Sequence, residues 1–381
     1  MSDKTPRTER REILKGIGAA GMVGLAGCMG GDNGGDSNGD DGNGGGGGQP
    51  YYPHTIWGMY GSWEDAYVKG GEFYARDHDL DFENYNSRMQ DNEQISHIQS
   101  FMQQNADGIL VGPASATAPA DQVEAAADED VPVMACNSEI ETDALTMSVY
   151  VGNEGACQEV AQELVDEIGG EGTVLNLQGD LSQSIGQERN QGFQNAVEGE
   201  SGIDVIEVTA DFQQEDAQTG TQSTLQSEEG DIDAIFAANG AMAAGAAEAL
   251  DSYGTAPGEV LMGCMDGSPT VLGLFDDGWL QRAYAQPTQY YLPIAMYYME
   301  DIRENGEDAI PEVGDEVTTD DLEITGGEHL GTDIWAGQAW APATIEEAHG
   351  HPVFQTSGAL LDEDNYDDES NWGVIFGAEA V

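Results

Sequence analysis

The stretch Asp107-Gly108-Ile109-Leu110-Val111-Gly112 decides the fold class of this chain. Its apolar residues are continuous rather than alternating, which is typical of a strand buried on both faces of a parallel sheet. A helical segment at 117–129 and a second apolar run at 131–136 follow it. Because parallel strands need a crossover between them, this strand–helix–strand order predicts an α/β fold.

The same alternation continues on both sides of this unit. Toward the amino terminus, strands are predicted at 55–60 and 81–86 and helices at 64–79 and 91–105. Toward the carboxyl terminus, the predicted elements are strands at 173–177, 205–209, 234–236, 260–263 and 281–285 and a long helix at 288–305. Because one sheet of about ten strands is uncommon, the pattern predicts two doubly wound parallel-sheet lobes joined by a multi-strand hinge.

One further helix has a clear amphipathic pattern. Its apolar stripe consists of Ala156, Cys157, Val160, Ala161, Leu164, Val165 and Ile168. This face is expected in the core, and Asn153 is expected to cap the helix. Cys136, Cys157 and Cys264 sit singly in apolar stretches without C-x-x-C spacing, which indicates buried, inert thiols rather than a metal site or disulfides.

The net charge is extreme, because 72 acidic residues stand against 11 basic ones and give a formal charge of -61. Phosphate binding needs Lys and Arg, so nucleic acid is excluded as a natural partner, and an anionic membrane surface is disfavoured. The periodic apolar pattern indicates a folded protein with a carboxylate-covered surface. Such a composition resembles that of proteins from salt-loving archaea, where salt screens the self-repulsion.

Residues 1–27 are expected to be an export signal rather than part of the fold. Thr8-Glu9-Arg10-Arg11-Glu12-Ile13-Leu14-Lys15 resembles a twin-arginine signal. The apolar stretch from Ile13 to Ala26 is too short and too weakly hydrophobic to anchor the chain stably in a membrane. Leu25-Ala26-Gly27-Cys28 looks like a lipobox, with Cys28 as the lipid attachment point. Residues 28–50 are rich in Gly and Asp, which predicts a flexible tether. The protein is therefore expected on the outer face of the cell membrane, held only by its lipid.

Several kinds of catalytic and cofactor site are not indicated. No GxGxxG or GxSxG pattern lies at a predicted strand-to-helix turn, and GxxxxGK[ST] does not occur. The pair His349 and His351 could ligate a metal, but a solvated loop is the preferred interpretation. We expect no cofactor, no metal and no enzymatic activity.

Four further motifs lie at predicted strand ends or helix starts. They are Glu188-Arg189-Asn190-Gln191-Gly192-Phe193, Ala210-Asp211-Phe212, Phe236-Ala237-Ala238-Asn239-Gly240-Ala241-Met242-Ala243 and Gly263-Cys264-Met265-Asp266-Gly267. In this order and spacing, and together with the stretch at 107–113, they make the chain resemble the ribose- and galactose-binding branch of the type I periplasmic binding proteins. The resemblance runs from about Thr55 to about Asn305.

The resemblance implies an N-terminal lobe of residues 51–149 plus 287–320 and a C-terminal lobe of residues 150–286. Residues 321–381 exceed the usual end of the family and are interpreted as a C-terminal extension. Within this region, 320–325 is a candidate for an added strand, and the residues from His329 onward have no counterpart in the family.

The resemblance also implies a set of ligand contacts from both lobes: Trp63, Asn137, Arg189, Phe212, Asn239, Asp266 and Gln286. Arg189 would grip sugar hydroxyls as a fork, Asp266 would accept their hydrogens, and Phe212 would stack on the sugar ring. The chemistry agrees, because hydroxyl groups are recognised well by planar polar side chains and an apolar sugar face by an aromatic ring. A structural salt bridge is the alternative interpretation of Arg189.

Some details of the resemblance remain open. Tyr60 is a rival to Trp63 as a stacking residue, and a buried core position is an alternative for Trp63. Ribose-type members commonly carry Asp-Arg where this chain has Asn137-Ser138, and Gly240 replaces an acidic residue after Asn239. These departures favour a hexose or a pentose other than ribose.

The sequence therefore predicts a monomeric solute-binding lipoprotein that captures a monosaccharide by closure of two lobes. The resemblance implies an ABC permease with a separate ATPase as its partner. A nucleoside- or signal-molecule-binding lipoprotein of the same fold is the alternative. A secreted glycoside-processing enzyme is less favoured, because pairs of carboxylates arise by coincidence in so acidic a chain.

Overall fold

The computed structural model describes residues 48–306 and 309–377, which form two α/β lobes. Within these residues, the sheet of the first lobe has eight strands. In spatial order they are β11 (Glu316–Val317), β12 (Ala343–Ala348), β13 (His351–Thr356), β5 (Met147–Val151), β4 (Val133–Cys136), β3 (Ile109–Val111), β1 (His54–Ile56) and β2 (Asn84–Asn86). The strands from β13 to β2 are parallel, whereas β12 is antiparallel to both of its neighbours. The helices of this lobe are α1 (Ser62–Asp77), α2 (Asp91–Gln103), α3 (Ala120–Asp128) and α9 (Tyr291–Asn305).

The sheet of the second lobe has six strands among the described residues. In spatial order they are β14 (Ala359–Leu361), β10 (Arg282–Ala285), β9 (Leu261–Met265), β8 (Ala234–Ala237), β6 (Glu171–Gln178) and β7 (Gly202–Thr209). All neighbouring pairs are parallel except β14 with β10. The remaining helices are α4 (Asn153–Glu167), α5 (Ser184–Val197), α6 (Gln214–Ser227), α7 (Gly240–Tyr253), α8 (Pro269–Asp276) and α10 (Trp372–Gly377). The predicted two α/β lobes are confirmed, but their sheets are mixed rather than purely parallel.

The hinge consists of the segments where the chain passes between the two sheets. In the described residues these passages follow β5, β10 and β13. The second of them contains a turn of 3-10 helix at Thr288–Tyr290, which leads into α9. The third is short, because β14 begins at Ala359, soon after β13 ends at Thr356.

The chain beyond residue 311 contributes to both sheets. The strand considered at 320–325 is absent from the structure, which has β11 at Glu316–Val317 instead. The carboxylate of Asp321 accepts hydrogen bonds from the backbone and hydroxyl of Thr318, at 3.0 and 2.8 Å, and such local bonds favour a turn over a strand. The antiparallel strands β12 and β14 come from this part of the chain, which explains the mixed sheets.

The amphipathic stripe of α4 is confirmed, since its members from Ala156 to Val165 are buried. The predicted cap is wrong, because Gly152 is the N-cap residue and Asn153 is the first residue of the helix. The Asn153 side chain instead bonds to Arg189 and Glu188 on α5. No helix of the described residues combines the length and apolar character needed to cross a membrane.

The three cysteines of the folded part, Cys136, Cys157 and Cys264, are buried and unpaired, as predicted. Burial raises the pKa of the Cys157 thiol to about 12, so this thiol is protonated and inert at neutral pH. The prediction of a solvated loop is wrong for His351, which lies buried in β13 and bonds to Ser148, Glu139 and the carbonyl of Thr142. The described residues contain no cluster of side chains suited to a metal ion.

Helix α5 packs so closely on α4 that Gly192 has no room for a side chain. A Cβ atom at this position would lie 2.2 Å from the carbonyl oxygen of Glu154, whereas one at Gly155 on α4 would have no neighbour within 4 Å.

We therefore expect Gly192→Ala to lower the free energy of unfolding by about 1–3 kcal/mol, because the added methyl group separates the helices. The control Gly155→Ala should be neutral or stabilise by up to about 1 kcal/mol, since alanine favours a helix. Urea denaturation in concentrated salt measures both. Equal effects of the two substitutions would contradict this account of the packing.

Candidate functional site in the cleft between the lobes

The predicted ligand residues lie where parallel strands end. Trp63 follows β1, Asn137 follows β4, Phe212 follows β7, Asn239 follows β8, Asp266 follows β9 and Gln286 follows β10. Arg189 lies on α5. Because the carboxyl ends of parallel strands meet at one edge of a sheet, each lobe presents its set at one edge, where ligands of open α/β folds bind.

Arg189 is held in place by two strong hydrogen bonds and is only 4% exposed. Its Nε donates to Asn153 Oδ1 at 2.9 Å, and its Nη1 donates to the carbonyl oxygen of Ala238 at 2.7 Å. Arg76, Arg88, Arg282 and Arg303 each lie within salt-bridge distance of a carboxylate. In the described part of the chain Arg189 has no such partner, so the salt-bridge interpretation of this residue is not supported.

Phe212 and Asn239 lie directly beside this guanidinium. The carbon Cζ of Arg189 is 5.8 Å from the centre of the Phe212 ring, a cation–π distance. The Phe212 ring covers Gly179 at the end of β6, where a Cβ atom would lie 2.2 Å from the ring. Asn239 donates to the carbonyl of Phe212 at 3.3 Å and accepts from the N–H of Met242, which caps α7. Part of the hydrogen-bonding capacity of Asn239 is thus used to fix the site itself.

Asp266 completes the second-lobe cluster. Its Oδ1 accepts from the N–H of Gly267 at 2.8 Å, and its backbone has a φ of 125°, which is unfavourable for a residue with a side chain. Burial raises the pKa of its carboxyl to about 6, although Arg189 opposes this rise. Glu64, in the first turn of α1, raises it further, so the two carboxylates interact across the cleft.

The first lobe presents Trp63 and Asn137. The Trp63 ring stacks on Tyr67 at 5.3 Å and contacts Trp57 at 5.5 Å, so it belongs to an aromatic cluster but remains partly exposed. Tyr60 is 67% exposed. Asn137 is nearly buried with a φ of 75°. Next to it, Ser138 Oγ lies 3.2 Å from Ser184 Oγ at the start of α5, which brings the two lobes into contact beside the site.

Gln286 lies in the hinge, directly after β10. It is 3% exposed, and its Oε1 has no hydrogen-bond partner. Together with Gln289, Asn371 and Trp372 it lines a cavity of about 60 Å³. The structure thus brings Arg189, Phe212, Asn239 and Asp266 together, and within the described residues no side-chain hydrogen bond joins Gln286 to them.

Sequence reasoning missed three residues of the site: Glu64, Asn153 and Glu188. Asn153 bridges two neighbours, since its Nδ2 donates to Glu188 Oε2 at 3.1 Å while its Oδ1 accepts from Arg189. Burial raises the pKa of Glu188 to about 7. Glu188 was visible in the sequence as the direct neighbour of Arg189, but nothing in the sequence indicated that Asn153 and Glu64 would reach the site.

Comparison with known families identifies the family to which the chain belongs. A model described as "Periplasmic binding protein domain" matches residues 55–308. The chain belongs to the periplasmic binding protein family. The predicted resemblance is confirmed at this level.

Curated relatives of this periplasmic binding protein carry names of sugar- and polyol-binding proteins. It is 29% identical to the ribose import binding protein RbsB of Bacillus subtilis over 55% of this chain and 67% of that one. It is 29% identical to the xylitol-binding protein of Mycolicibacterium smegmatis over 49% of this chain and 54% of that one. With the galactofuranose-binding protein YtfQ of Escherichia coli it shares 25% identity over 58% of this chain and 72% of that one. The matched region thus spans about half to three quarters of these relatives.

Solved structures show the same fold. A galactofuranose-binding protein superimposes with a TM-score of 0.68 at 20% identity, over 84% of this chain and 97% of the other. The arabinose transporter component of Shewanella sp. ANA-3 superimposes with a TM-score of 0.70 at 16% identity, over 87% and 97% of the two chains. At identities this low, the superpositions support the fold but do not identify the ligand of this chain.

The raised pKa of Asp266 has a measurable consequence for stability. A carboxyl whose pKa rises from 3.8 to about 6 on folding stabilises the folded state when it is protonated, and this contribution is lost as the pH increases through that range. We expect Asp266→Asn to stabilise the ligand-free protein by roughly 3 kcal/mol well above pH 6 and to have little effect below about pH 4.

Urea unfolding at both pH values measures this effect. The control is Asp251→Asn, which changes an exposed carboxylate on α7. A pH-independent effect of Asp266→Asn would contradict the assignment.

Proposed function

We propose that this protein is an exported solute-binding lipoprotein of an ABC importer that captures a monosaccharide, a pentose or a hexose, between its two lobes. The sugar contacts Arg189, Phe212, Asn239 and Asp266 in the second lobe and residues of the first lobe across the cleft. Because a ligand that touches both lobes stabilises the closed arrangement, binding drives closure. The closed form then delivers the sugar to a membrane permease driven by a separate ATPase.

The observation that carries this proposal is the buried guanidinium of Arg189. Its Nε and Nη1 are used on Asn153 and Ala238, whereas its Nη2 has no hydrogen-bond partner among residues 48–306 and 309–377. A guanidinium N–H that no protein group uses can donate to a ligand with acceptor oxygens. Sugar hydroxyls provide such oxygens and also donate to the carboxylate of Asp266.

The aromatic ring of Phe212 supports a sugar over other hydroxyl-rich ligands. It lies beside the guanidinium and is partly exposed, so it offers a flat apolar surface next to the polar groups. An apolar sugar face packs well on such a ring. The names of two relatives, which cite ribose and galactofuranose, support a sugar as the ligand.

The sugar is proposed to differ from ribose. Asn137 and Ser138 occupy the first-lobe positions where the sequence departs from the ribose-type pattern, and the hydroxyl of Ser138 lies against Ser184. The amide of Asn137 is therefore the polar group that this loop offers to a sugar. A neutral amide offers different hydrogen-bonding groups from the Asp-Arg pair of the ribose-type members. The proposed ligand is therefore a hexose or a pentose other than ribose.

The location rests on the amino-terminal sequence, which lies outside the described residues. We propose export by the twin-arginine route, attachment through a lipid on Cys28, and a tether that ends near residue 50. The protein acts as a monomer in concentrated salt, and the carboxylate-rich surface serves solubility there rather than ligand recognition.

Calorimetry in concentrated salt with a panel of pentoses, hexoses and nucleosides tests the ligand class. We expect binding of one or more monosaccharides without chemical change of the sugar. Arg189→Lys should weaken binding by at least about tenfold, because lysine keeps the charge but loses the guanidinium fork.

The matched control is Arg282→Lys, which changes a cation paired with Glu163 and Glu167 on the same lobe. Its sugar affinity should stay within about twofold of the parent value. Binding of nucleosides only, or conversion of a sugar into product, would favour the alternative functions and overturn the proposal.

Lipid attachment is tested separately. We expect Cys28→Ser to abolish incorporation of a labelled lipid and to release the exported protein from the membrane, since a hydroxyl replaces the thiol that carries the lipid. Cys136→Ser changes a buried thiol and should leave membrane attachment intact. Lipid incorporation into the Cys28→Ser protein would refute Cys28 as the attachment point.

A further inference from the structure

The short carboxyl-terminal helix α10 packs directly on the loop that carries Asp266. A Cβ atom at Gly373 would lie 2.0 Å from the carbonyl oxygen of Gly267, and one at Gly267 would lie 2.8 Å from Asn371 Oδ1 and 3.2 Å from Trp372 Nε1. The two glycine backbones therefore touch each other without space for even a methyl group. The residues Asn371, Trp372 and Gly373 are called the contact segment below.

The loop under this contact holds Asp266 in an unfavourable conformation. The backbone φ of Asp266 is 125°, and the N–H of Gly267 donates to its carboxylate at 2.8 Å. A conformation of this kind persists only when the surrounding structure enforces it. One side of the loop is fixed by β10, since the N–H of Asp266 donates to the carbonyl of Tyr284 at 2.9 Å and the Cβ of Ala285 lies against Gly267. The other side is fixed by the contact segment.

The contact segment is itself firmly held. Trp372 is 1% exposed, and Asn371 Nδ2 donates to the carbonyl of Tyr366 at 3.0 Å. The ring of Tyr366 stacks on Phe275 of α8 at 4.9 Å, and its hydroxyl donates to Asp276 Oδ1 at 2.8 Å. The contact segment is thus connected through Tyr366 to α8, the helix that follows the Asp266 loop. These contacts allow it to support the loop rigidly.

We propose that the contact segment is a positioning element of the ligand site, which holds the Asp266 carboxylate in its place beside Arg189. This inference rests on the proposed function in naming the sugar as the ligand. It assigns to the carboxyl-terminal region a role in recognition that its position in the sequence, more than a hundred residues after Asp266, does not suggest.

A different role for α10 would be a connection between the lobes, because the helix also contacts α1 of the first lobe. The two roles differ in what they require of Asp266. A positioning element acts through the Asp266 carboxylate, so its loss has little further effect once that carboxylate is altered. A connection between the lobes affects binding whether or not Asp266 is intact.

Gly373→Ala tests the proposal, with Gly273→Ala on α8 as the matched control, because a Cβ atom at Gly273 would have no neighbour within 4 Å. We expect Gly373→Ala to weaken sugar binding by roughly tenfold in the otherwise unchanged protein and by less than about twofold in an Asp266→Asn background. Gly273→Ala should leave the affinity within about twofold in both backgrounds. An equal loss in both backgrounds, or no loss in either, would overturn the positioning role.

A second measurement does not depend on sugar binding. The carboxyl carbon chemical shift of Asp266, followed as a function of pH, should show that Gly373→Ala moves the pKa of Asp266 from about 6 toward 3.8, since a displaced loop admits water to the carboxyl. An unchanged pKa in a folded Gly373→Ala protein would overturn the proposal. If Asp266→Asn weakens sugar binding so much that it cannot be measured, this titration alone tests the positioning role.

The milder Trp372→Phe replaces Gly373→Ala if the latter does not fold, with the same expected directions in both measurements. Failure of the proposed function is distinguishable from failure of this inference. A parent protein that binds no sugar but whose Asp266 pKa responds to these substitutions refutes the proposed ligand and keeps the positioning role. A parent protein that binds sugar with an affinity unaffected by them refutes the positioning role alone.

Discussion

The buried guanidinium of Arg189 is the group on which the rest of the site depends. The chain carries a formal charge of -61, yet this cation has no carboxylate within salt-bridge distance among the described residues. It is held by neutral acceptors, the amide of Asn153 and the carbonyl of Ala238. Neutral partners leave its charge available, whereas a carboxylate would have satisfied the charge and reduced its value for a ligand. Asn153 on α4, the end of β8 and the ring of Phe212 are all arranged around it.

Burial gives the carboxyl groups near Arg189 properties that the many surface carboxylates lack. It raises the pKa of Asp266 to about 6 and that of Glu188 to about 7, so both groups titrate close to neutrality. An ionised carboxylate only accepts hydrogen bonds, whereas a protonated one also donates. Near neutral pH these two groups can therefore either donate or accept hydrogen bonds. A ligand that contacts them is expected to change their protonation on binding, which couples affinity to pH.

Local pattern was sufficient to predict most of the two lobes, because buried parallel strands such as β3 and amphipathic helices such as α4 are visible in the sequence itself. The candidate ligand residues came from the resemblance to the family, and most of them lie after strand ends in the structure. The strands β5, β11, β12, β13 and β14 were not predicted. Two of them pair with strands that lie far away in the chain, since β13 lies beside β5 and β14 beside β10. For the same reason the burial of His351 and the contact of α10 with Gly267 had no local signal. Asn153 was misassigned because a helix cap and a bridge to Arg189 use the same residue type, and only tertiary packing decides between them.

Three of the predicted ligand residues share a conformational feature that links the fold to the site. Asn137, Phe212 and Asp266 follow β4, β7 and β9, and each has a positive φ, with values of 75°, 63° and 125°. A turn of this kind changes the direction of the chain abruptly after a parallel strand and places the next side chain at the sheet edge. Residues with side chains adopt it at a cost of about 1–3 kcal/mol each, so the surrounding packing must compensate for it. Gly179 under the Phe212 ring and Gly267 against α10 are where that packing is closest. The geometry of the candidate site therefore depends on the contacts behind these loops. If the site binds the proposed ligand, changes in the residues behind the loops should alter recognition as effectively as changes in the residues that touch the ligand.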